Sequence, residues 1–304
     1  MGKPTRRILL SGASGLIGSA IRGAAREQGM EVTALVRRHR LVGPGAVYWN
    51  PAKPDAKVHA AGLEGFDTVV HLSGANVARR WTQEYRREIV ESRVTSTRML
   101  CEALAQVRRR PRVLLCASAV GIYGDGGDTV LTEESGVGSG FLAETCAAWE
   151  AAAKDACALG IRVVHLRFGV VLSRRGGALG KMLPAFRLGL GGRMGSGRQW
   201  MSWISIRDLM RAVMFLMERE ELAGAFNLTA PNPVTNATFT QALARAVHRP
   251  AVLPVPAGML RMIFGAMADA TLLASQRVLP YRLVDAGFQF EDEEVREALK
   301  ALLR

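Results

Sequence analysis

Two hydrophobic periods alternate along the chain. Short runs rich in Val, Ile and Leu occur at Arg7 to Ser11, Glu31 to Arg37, Thr68 to Ser73, Val113 to Ser118 and Arg162 to Arg167. Their unbroken apolar character predicts strands buried on both faces. Segments of helical period predict helices near Leu16 to Gln28, Gln83 to Val107 and Gly140 to Leu159, and Ala46 to Trp49 reads as a further short strand. Strand and helix in alternation predict an α/β fold, a doubly wound parallel sheet with helices on both faces.

After Arg167 the pattern changes. Glycines from Gly176 to Gly197 punctuate a stretch with one clear helix, Lys181 to Gly189, which reads as a loop-rich lobe beside the sheet. A helix from Arg207 to Arg219, a strand from Ala225 to Thr229 and a helix from Thr238 to Val247 follow, then a proline-marked turn from Pro250 to Pro256 and a mostly helical end. This predicts a main domain over 7–225, including the lobe segment, and a C-terminal helical domain over 248–298 that completes a smaller lobe.

Composition narrows the class. The 304 residues suit one large α/β domain with an appended lobe, and 49% apolar with 22% charged residues describes a globular chain. The net charge of +13 raises the question of a polyanionic partner. Only six of the 40 cationic residues are lysine, and no helix-turn-helix, zinc site or interleaved aromatic and basic stripe accompanies them, so nucleic acid is not expected. The triple arginine Arg108 to Arg110 reads as a solvated helix end. Four cysteines without a Cys-x-x-Cys pair indicate neither zinc nor a disulfide framework. The most membrane-like stretch, Gly258 to Ala274, is interrupted by Arg261 and Asp269, so no membrane partner is expected and the location is read as cytoplasmic.

The chemistry begins at Gly12-Ala13-Ser14-Gly15-Leu16-Ile17-Gly18, directly after the first strand and opening the first helix. In that context a glycine-rich turn is a dinucleotide fingerprint of the Rossmann type: Gly12 permits the tight turn, Gly15 lets a pyrophosphate reach bare backbone, and Gly18 brings helix and sheet together. An NAD site would place an acid near the end of the second strand. Here Val36-Arg37-Arg38 stands instead, and paired guanidinium groups suit a 2′-phosphate, which predicts NADP(H) as cofactor.

The G-x-x-G-x-x-G spacing resembles the short-chain dehydrogenase/reductase superfamily, and its extended, epimerase-like branch fits best. The superfamily relies on a Tyr with a Lys four residues later. The chain has four tyrosines, and four residues after Tyr48, Tyr85, Tyr123 and Tyr281 stand Ala52, Ile89, Gly127 and Asp285. The expected helix runs from Gly140 to Glu150 with Phe141 or Leu142 at the tyrosine position and Thr145 or Cys146 near the lysine. With Arg79-Arg80-Trp81, Gly195-Ser196-Gly197-Arg198-Gln199-Trp200 and the C-terminal segment from Leu279 to Phe290, the chain resembles an atypical epimerase-like family of that superfamily with its own short C-terminal helical domain.

The resemblance implies cofactor contacts from Gly12, Ser14, Gly15, Leu16, Ile17 and Gly18, from Leu72, Ser73, Gly74 and Ala75 after the fourth strand, and from Ala117 and Arg167; Arg37 and Arg38 join them because no acid ends the second strand, and Arg93, standing where the superfamily often has an Asn before a Gly-Thr pair, is a candidate contact to cofactor phosphate. It implies that Ser118 orients a substrate carbonyl and leaves Tyr123 as a substitute proton donor or a loop-shaping residue; Glu144 and Cys146 on the helix either face the nicotinamide pocket or pack, which periodicity does not distinguish. Arg198 and Trp200 are candidate contacts for an anionic or nucleotide-linked small-molecule substrate. An oxidoreductase or epimerase of unidentified substrate follows; the alternative is a catalytically silent NADPH-binding sensor or scaffold. No metal ligand set stands out, and oligomeric state is not legible.

Overall fold

A computed structural model describes residues 6–53 and 60–304. Seven parallel strands form the central sheet: β1 (Arg7–Ser11), β2 (Glu31–Val36), β3 (Ala46–Tyr48), β4 (Thr68–His71), β5 (Val113–Ala119), β6 (Arg162–Phe168) and β7 (Gly224–Leu228). Their order is β7-β6-β5-β4-β1-β2-β3, so the winding reverses between β1 and β4. The crevice at such a reversal, outside the carboxyl ends of the strands, is where this topology takes a ligand.

The helices are α1 (Leu16–Glu27), α2 (Gln83–Glu91), α3 (Val94–Ala105), α4 (Phe141–Ala152), α5 (Lys154–Ala158), α6 (Gly177–Arg187), α7 (Ile206–Glu218), α8 (Asn236–Ala246), α9 (Ala257–Phe264), α10 (Tyr281–Asp285) and α11 (Val295–Leu303). Alternate strand residues feed opposite layers. Ile8 and Leu10 pack with Ile21 of α1 and Leu209 and Val213 of α7, whereas Leu9 packs with Leu100 and Leu104 of α3 and Trp149 of α4. Both faces are thus covered, which is why the strands carry no polar alternation.

Two expected helices are broken. Gln83 to Val107 divides at Ser92 and Arg93: the Ser92 hydroxyl accepts from the Ala75 backbone N–H at 2.9 Å and donates to the Ile89 carbonyl, and Arg93, still in the right-handed helical region, is distorted to φ −106°. Gly140 to Leu159 turns at Ala153, where fully buried Ala153 and Ala156 let α5 settle on the sheet.

A third apolar cluster joins α6, α8 and α11 around Trp203 and Phe239 and carries the lobe. The C-terminal segment has no separate core among the described residues. Leu283 and Phe288 join the α1 and α7 layer, Val295 and Leu299 join the lobe, and Met267 packs with Trp81. No helix among the described residues is long and apolar enough to cross a membrane, and no metal-holding group of His, Cys, Asp or Glu occurs.

Candidate active site

The glycine turn has the steric logic that its spacing implies. Gly12 sits at φ +69°, and a Cβ there would lie 2.9 Å from the Leu72 carbonyl oxygen. At Gly18 a Cβ would come within 2.3 Å of the Gly12 oxygen. Gly15 caps α1 without a side-chain bond, and no acid occupies the first turn. Among the described residues the Leu16 and Ile17 N–H groups find no acceptor in the chain, which leaves an anion cradle at a positive helix end.

From this cradle a cavity of about 850 Å³ extends across the ends of β1, β4, β5 and β6 to α9 and the segment that follows it. Gly12, Gly15, Leu16, Ile17 and Gly18 line one end, with Leu72, Gly74, Ala75 and Ala117 beside them. Ser14 and Ser73 do not line it. Arg37 and Arg38 are exposed immediately after β2, at the same carboxyl end of the sheet as Gly12; they do not line the cavity, and neither forms an ion pair among the described residues.

Arg93 lines the cavity. It donates to the Ala75 and Ile89 carbonyls at 3.0 and 3.1 Å, and its guanidinium carbon lies 5.1 Å from the Trp149 ring centroid. No carboxylate pairs with it among the described residues; burial penalises its charged form and lowers its pKa, so an anion in the cavity would relieve that cost.

Ser118 also lines the cavity and is 1% exposed. Its hydroxyl donates to Glu150 Oε1 at 2.7 Å. Arg167 grips both oxygens of that carboxylate, Nε to Oε1 at 2.8 Å and Nη2 to Oε2 at 2.9 Å. Burial works to raise the Glu150 pKa, but the Arg167 bonds and charge, with Ser118, outweigh it and hold the pKa below the usual carboxylate value. Burial likewise opposes the Arg167 cation, and Glu150 overrides it. Because its hydrogen is committed to Glu150, Ser118 presents lone pairs to the cavity, whereas a carbonyl-orienting serine would present a donor.

Tyr123 and Arg167 lie apart from the surface that a ligand would touch. Tyr123 is 3% exposed and does not line the cavity; its hydroxyl accepts from Arg167 Nη1 and donates to Asn227 Oδ1, each at 2.8 Å. Burial pushes the phenol pKa up. The proton-donor expectation for Tyr123 and the direct cofactor contact expected of Arg167 therefore give way to a buried brace behind Ser118.

On α4, Leu142, Thr145 and Cys146 face the cavity, while Glu144 is exposed and does not line it. Burial raises the Cys146 thiol to about 11. Trp200 lines the cavity and donates from Nε1 to Asp128 at 2.8 Å, with Arg277 over its ring. Arg198 is exposed and outside the lining. Sequence reasoning missed Glu150 and Asn227. Glu150 was accessible from spacing, because 142, 146 and 150 recur every four residues on one helix face.

The model of the NAD dependent epimerase/dehydratase family matches residues 8–229. The chain belongs to this family. A second match, to a domain of unknown function designated DUF1731, covers residues 255–302. This epimerase-family chain is 45% identical over 293 residues to the epimerase family protein Mb2239 of Mycobacterium bovis, spanning 96% of each. Its fold is similar to that of the human epimerase family protein SDR39U1 (isoform 2), solved with NADPH, at a TM-score of 0.88 and 34% identity over 98% of this chain and 99% of that one. A nucleoside-diphosphate sugar epimerase from Corynebacterium glutamicum matches at a TM-score of 0.80 and 35% identity, over 98% of this chain and 58% of that one.

Proposed function

We propose that this epimerase-family chain is an NADP(H)-dependent oxidoreductase acting on a small molecule. The observation that carries the reading is the bare glycine cradle at the head of the cavity, with two arginines that form no ion pair among the described residues at the same carboxyl end of the sheet, where an NAD site would place an acid. NADPH in the human SDR39U1 structure supports the same choice.

The cradle fits a dinucleotide because its glycines leave room only for backbone, and its free N–H groups suit a pyrophosphate. Gly12 to Gly18 would hold the pyrophosphate, Arg37 and Arg38 the 2′-phosphate, and Leu72 to Ala75 would pass the adenine side, with Arg93 supplying positive charge. A bound nicotinamide would supply hydride transfer to or from a substrate carbon. Ser118 would accept a hydrogen bond from a substrate hydroxyl, and the proton lost with the hydride would pass through the Ser118 hydroxyl to the Glu150 carboxylate that Arg167 holds in place. Cys146 stays a neutral thiol near pH 7, so it does not replace the missing lysine as a charge. The buried free thiols of Cys101, Cys116 and Cys146 support a reducing, cytoplasmic setting.

The test follows nicotinamide absorbance with a panel of carbonyls and alcohols, in the parent and in Ser118→Ala. Turnover that falls about tenfold or more in the variant is expected; an undiminished rate removes Ser118 from the chemistry. A second reading, a catalytically silent NADPH sensor, is favoured by Leu142 and Cys146 standing where the dyad would be. NADPH binding with no turnover on any panel member, and a partner captured only with NADPH present, would establish it.

A further inference from the structure

Positive charge is not spread evenly along the chain. Segments 174–207 and 222–268, which supply α6, α8 and α9, hold ten Lys and Arg and no Asp or Glu. Arg207 is paired with Glu291 and Asp292, and Arg261 with Asp269. The other eight form no ion pair among the described residues. These two segments alone carry most of the net charge of +13.

The same segments expose a continuous apolar strip. Residues 188–195 run beside 250–257: the Leu253 N–H donates to the Gly191 carbonyl at 3.3 Å, and the Val255 N–H to that of Arg193 at 2.9 Å. Leu188 and Val252 stand there at 74% and 73% exposed, with Leu190 and Leu253. The strip continues into α9, where Met259, Met262 and Ile263 share an outer face at i, i+3 and i+4. On the same helix Leu260 and Phe264 line the cavity, so α9 is apolar towards both sides. Single exposed apolar residues are ordinary, but a contiguous set marks a contact surface. Arginines border it: Arg249 donates to the Arg187 carbonyl at 3.2 Å at one end, and Arg80 to the Met262 carbonyl at 2.8 Å at the other.

We propose that this face docks on an anionic lipid membrane, with the apolar strip at the acyl boundary and the arginines among the headgroup phosphates. A second copy of the chain would bring the same cations against these and be repelled. Nucleic acid would meet the arginines but leave the strip in water, and the strip's Leu, Val, Met and Ile side chains offer no aromatic ring on which a base stacks. Arg261 and Asp269 bar Gly258 to Ala274 from crossing a bilayer, which is what the expectation of no membrane partner rested on; they leave α9 free to lie along one. Docking would set one wall of the cavity against lipid, whichever cofactor the cradle holds.

The experiment sediments the full chain with vesicles of phosphatidylcholine, alone or with about one-quarter phosphatidylglycerol, at about 0.1 M salt, where charges act over about 10 Å. Partition onto the anionic vesicles at least tenfold stronger than onto the neutral ones is expected. Met262→Asp/Ile263→Asp should weaken that partition at least tenfold, with folding checked by thermal unfolding. Arg187→Glu/Arg249→Glu, which leaves α9 untouched, should weaken it as much and serves the same purpose if the first variant does not fold. Equal partition onto the two kinds of vesicle, no binding to either, or parental binding by a folded variant overturns the assignment. Duplex DNA held more tightly than the anionic vesicles overturns it in favour of nucleic acid. A dimer in light scattering that Met262→Asp/Ile263→Asp dissolves, without vesicle binding by the parent, overturns it in favour of a second copy.

Discussion

Substituting Gly18 by alanine tests whether the turn works by close backbone approach. The added Cβ would lie 2.3 Å from the Gly12 oxygen and 2.8 Å from the Ala13 Cα, against ordinary contacts that begin at 3.4 Å. Both neighbours are backbone, so no side chain can rotate aside and the turn must open by about 1 Å. Overpacking of this kind costs about 1 to 3 kcal/mol of stability. The same opening moves the Leu16 and Ile17 N–H groups away from a phosphate, and a hydrogen bond to a charged group is worth about 1.5 to 3 kcal/mol. NADPH should therefore bind about 10- to 150-fold more weakly. Gly23→Ala is the internal control: it lies on the same helix, and its Cβ would meet nothing within 4 Å. Better helix propensity should stabilise that variant by about 1 kcal/mol with an unchanged NADPH dissociation constant. Fluorescence titration with NADPH and thermal unfolding read both effects. Parental affinity in Gly18→Ala, or equal loss in both variants, would refute the steric account.

Further outcomes follow from the buried groups. Arg167→Met leaves Glu150 buried without its partner and should cost about 3 to 5 kcal/mol in denaturant unfolding, with much of the loss recovered in the Glu150→Leu/Arg167→Met double variant; equal stability of the single variant and parent would contradict the brace. His71, fully buried against the Ser11 and Ser96 hydroxyls, has its pKa lowered by burial to about 4. The folded protein keeps this ring neutral while the unfolded chain takes up a proton near pH 6.5, so the stability is full above pH 6.5 and falls as pH drops towards 4. The loss is on the order of 3 kcal/mol, and His71→Gln should flatten that limb of the stability profile.

Much of the sheet was legible because its strands are short apolar runs ended by functional turns. The cradle was legible for the same reason: close approach leaves glycine as the residue that fits at Gly12 and Gly18, so the constraint is written into the residue type. What escaped the sequence depends on contacts distant along the chain. The break at Arg93 arises from Ser92 bonding to Ala75, which no local period records. Tyr123 reads as a loop tyrosine until Asn227, far along the chain, captures its hydroxyl. The C-terminal segment reads as a helical domain, yet Leu283, Phe288 and Leu299 distribute themselves among layers built by other elements. Ser118 stands out in the sequence by its place after β5, but the direction of its hydrogen bond required Glu150 in place.

The central claim is that the cradle and the arginine pair after β2 together select a phosphorylated dinucleotide. Equilibrium titration of the parent with NADPH and with NADH, repeated in Arg37→Ala/Arg38→Ala, tests it most directly. Loss of charged hydrogen bonds worth about 1.5 to 3 kcal/mol predicts that the parent prefers NADPH by at least tenfold and that the double variant loses the preference while its NADH affinity stays the same. Equal affinities of the parent for the two cofactors would contradict the account.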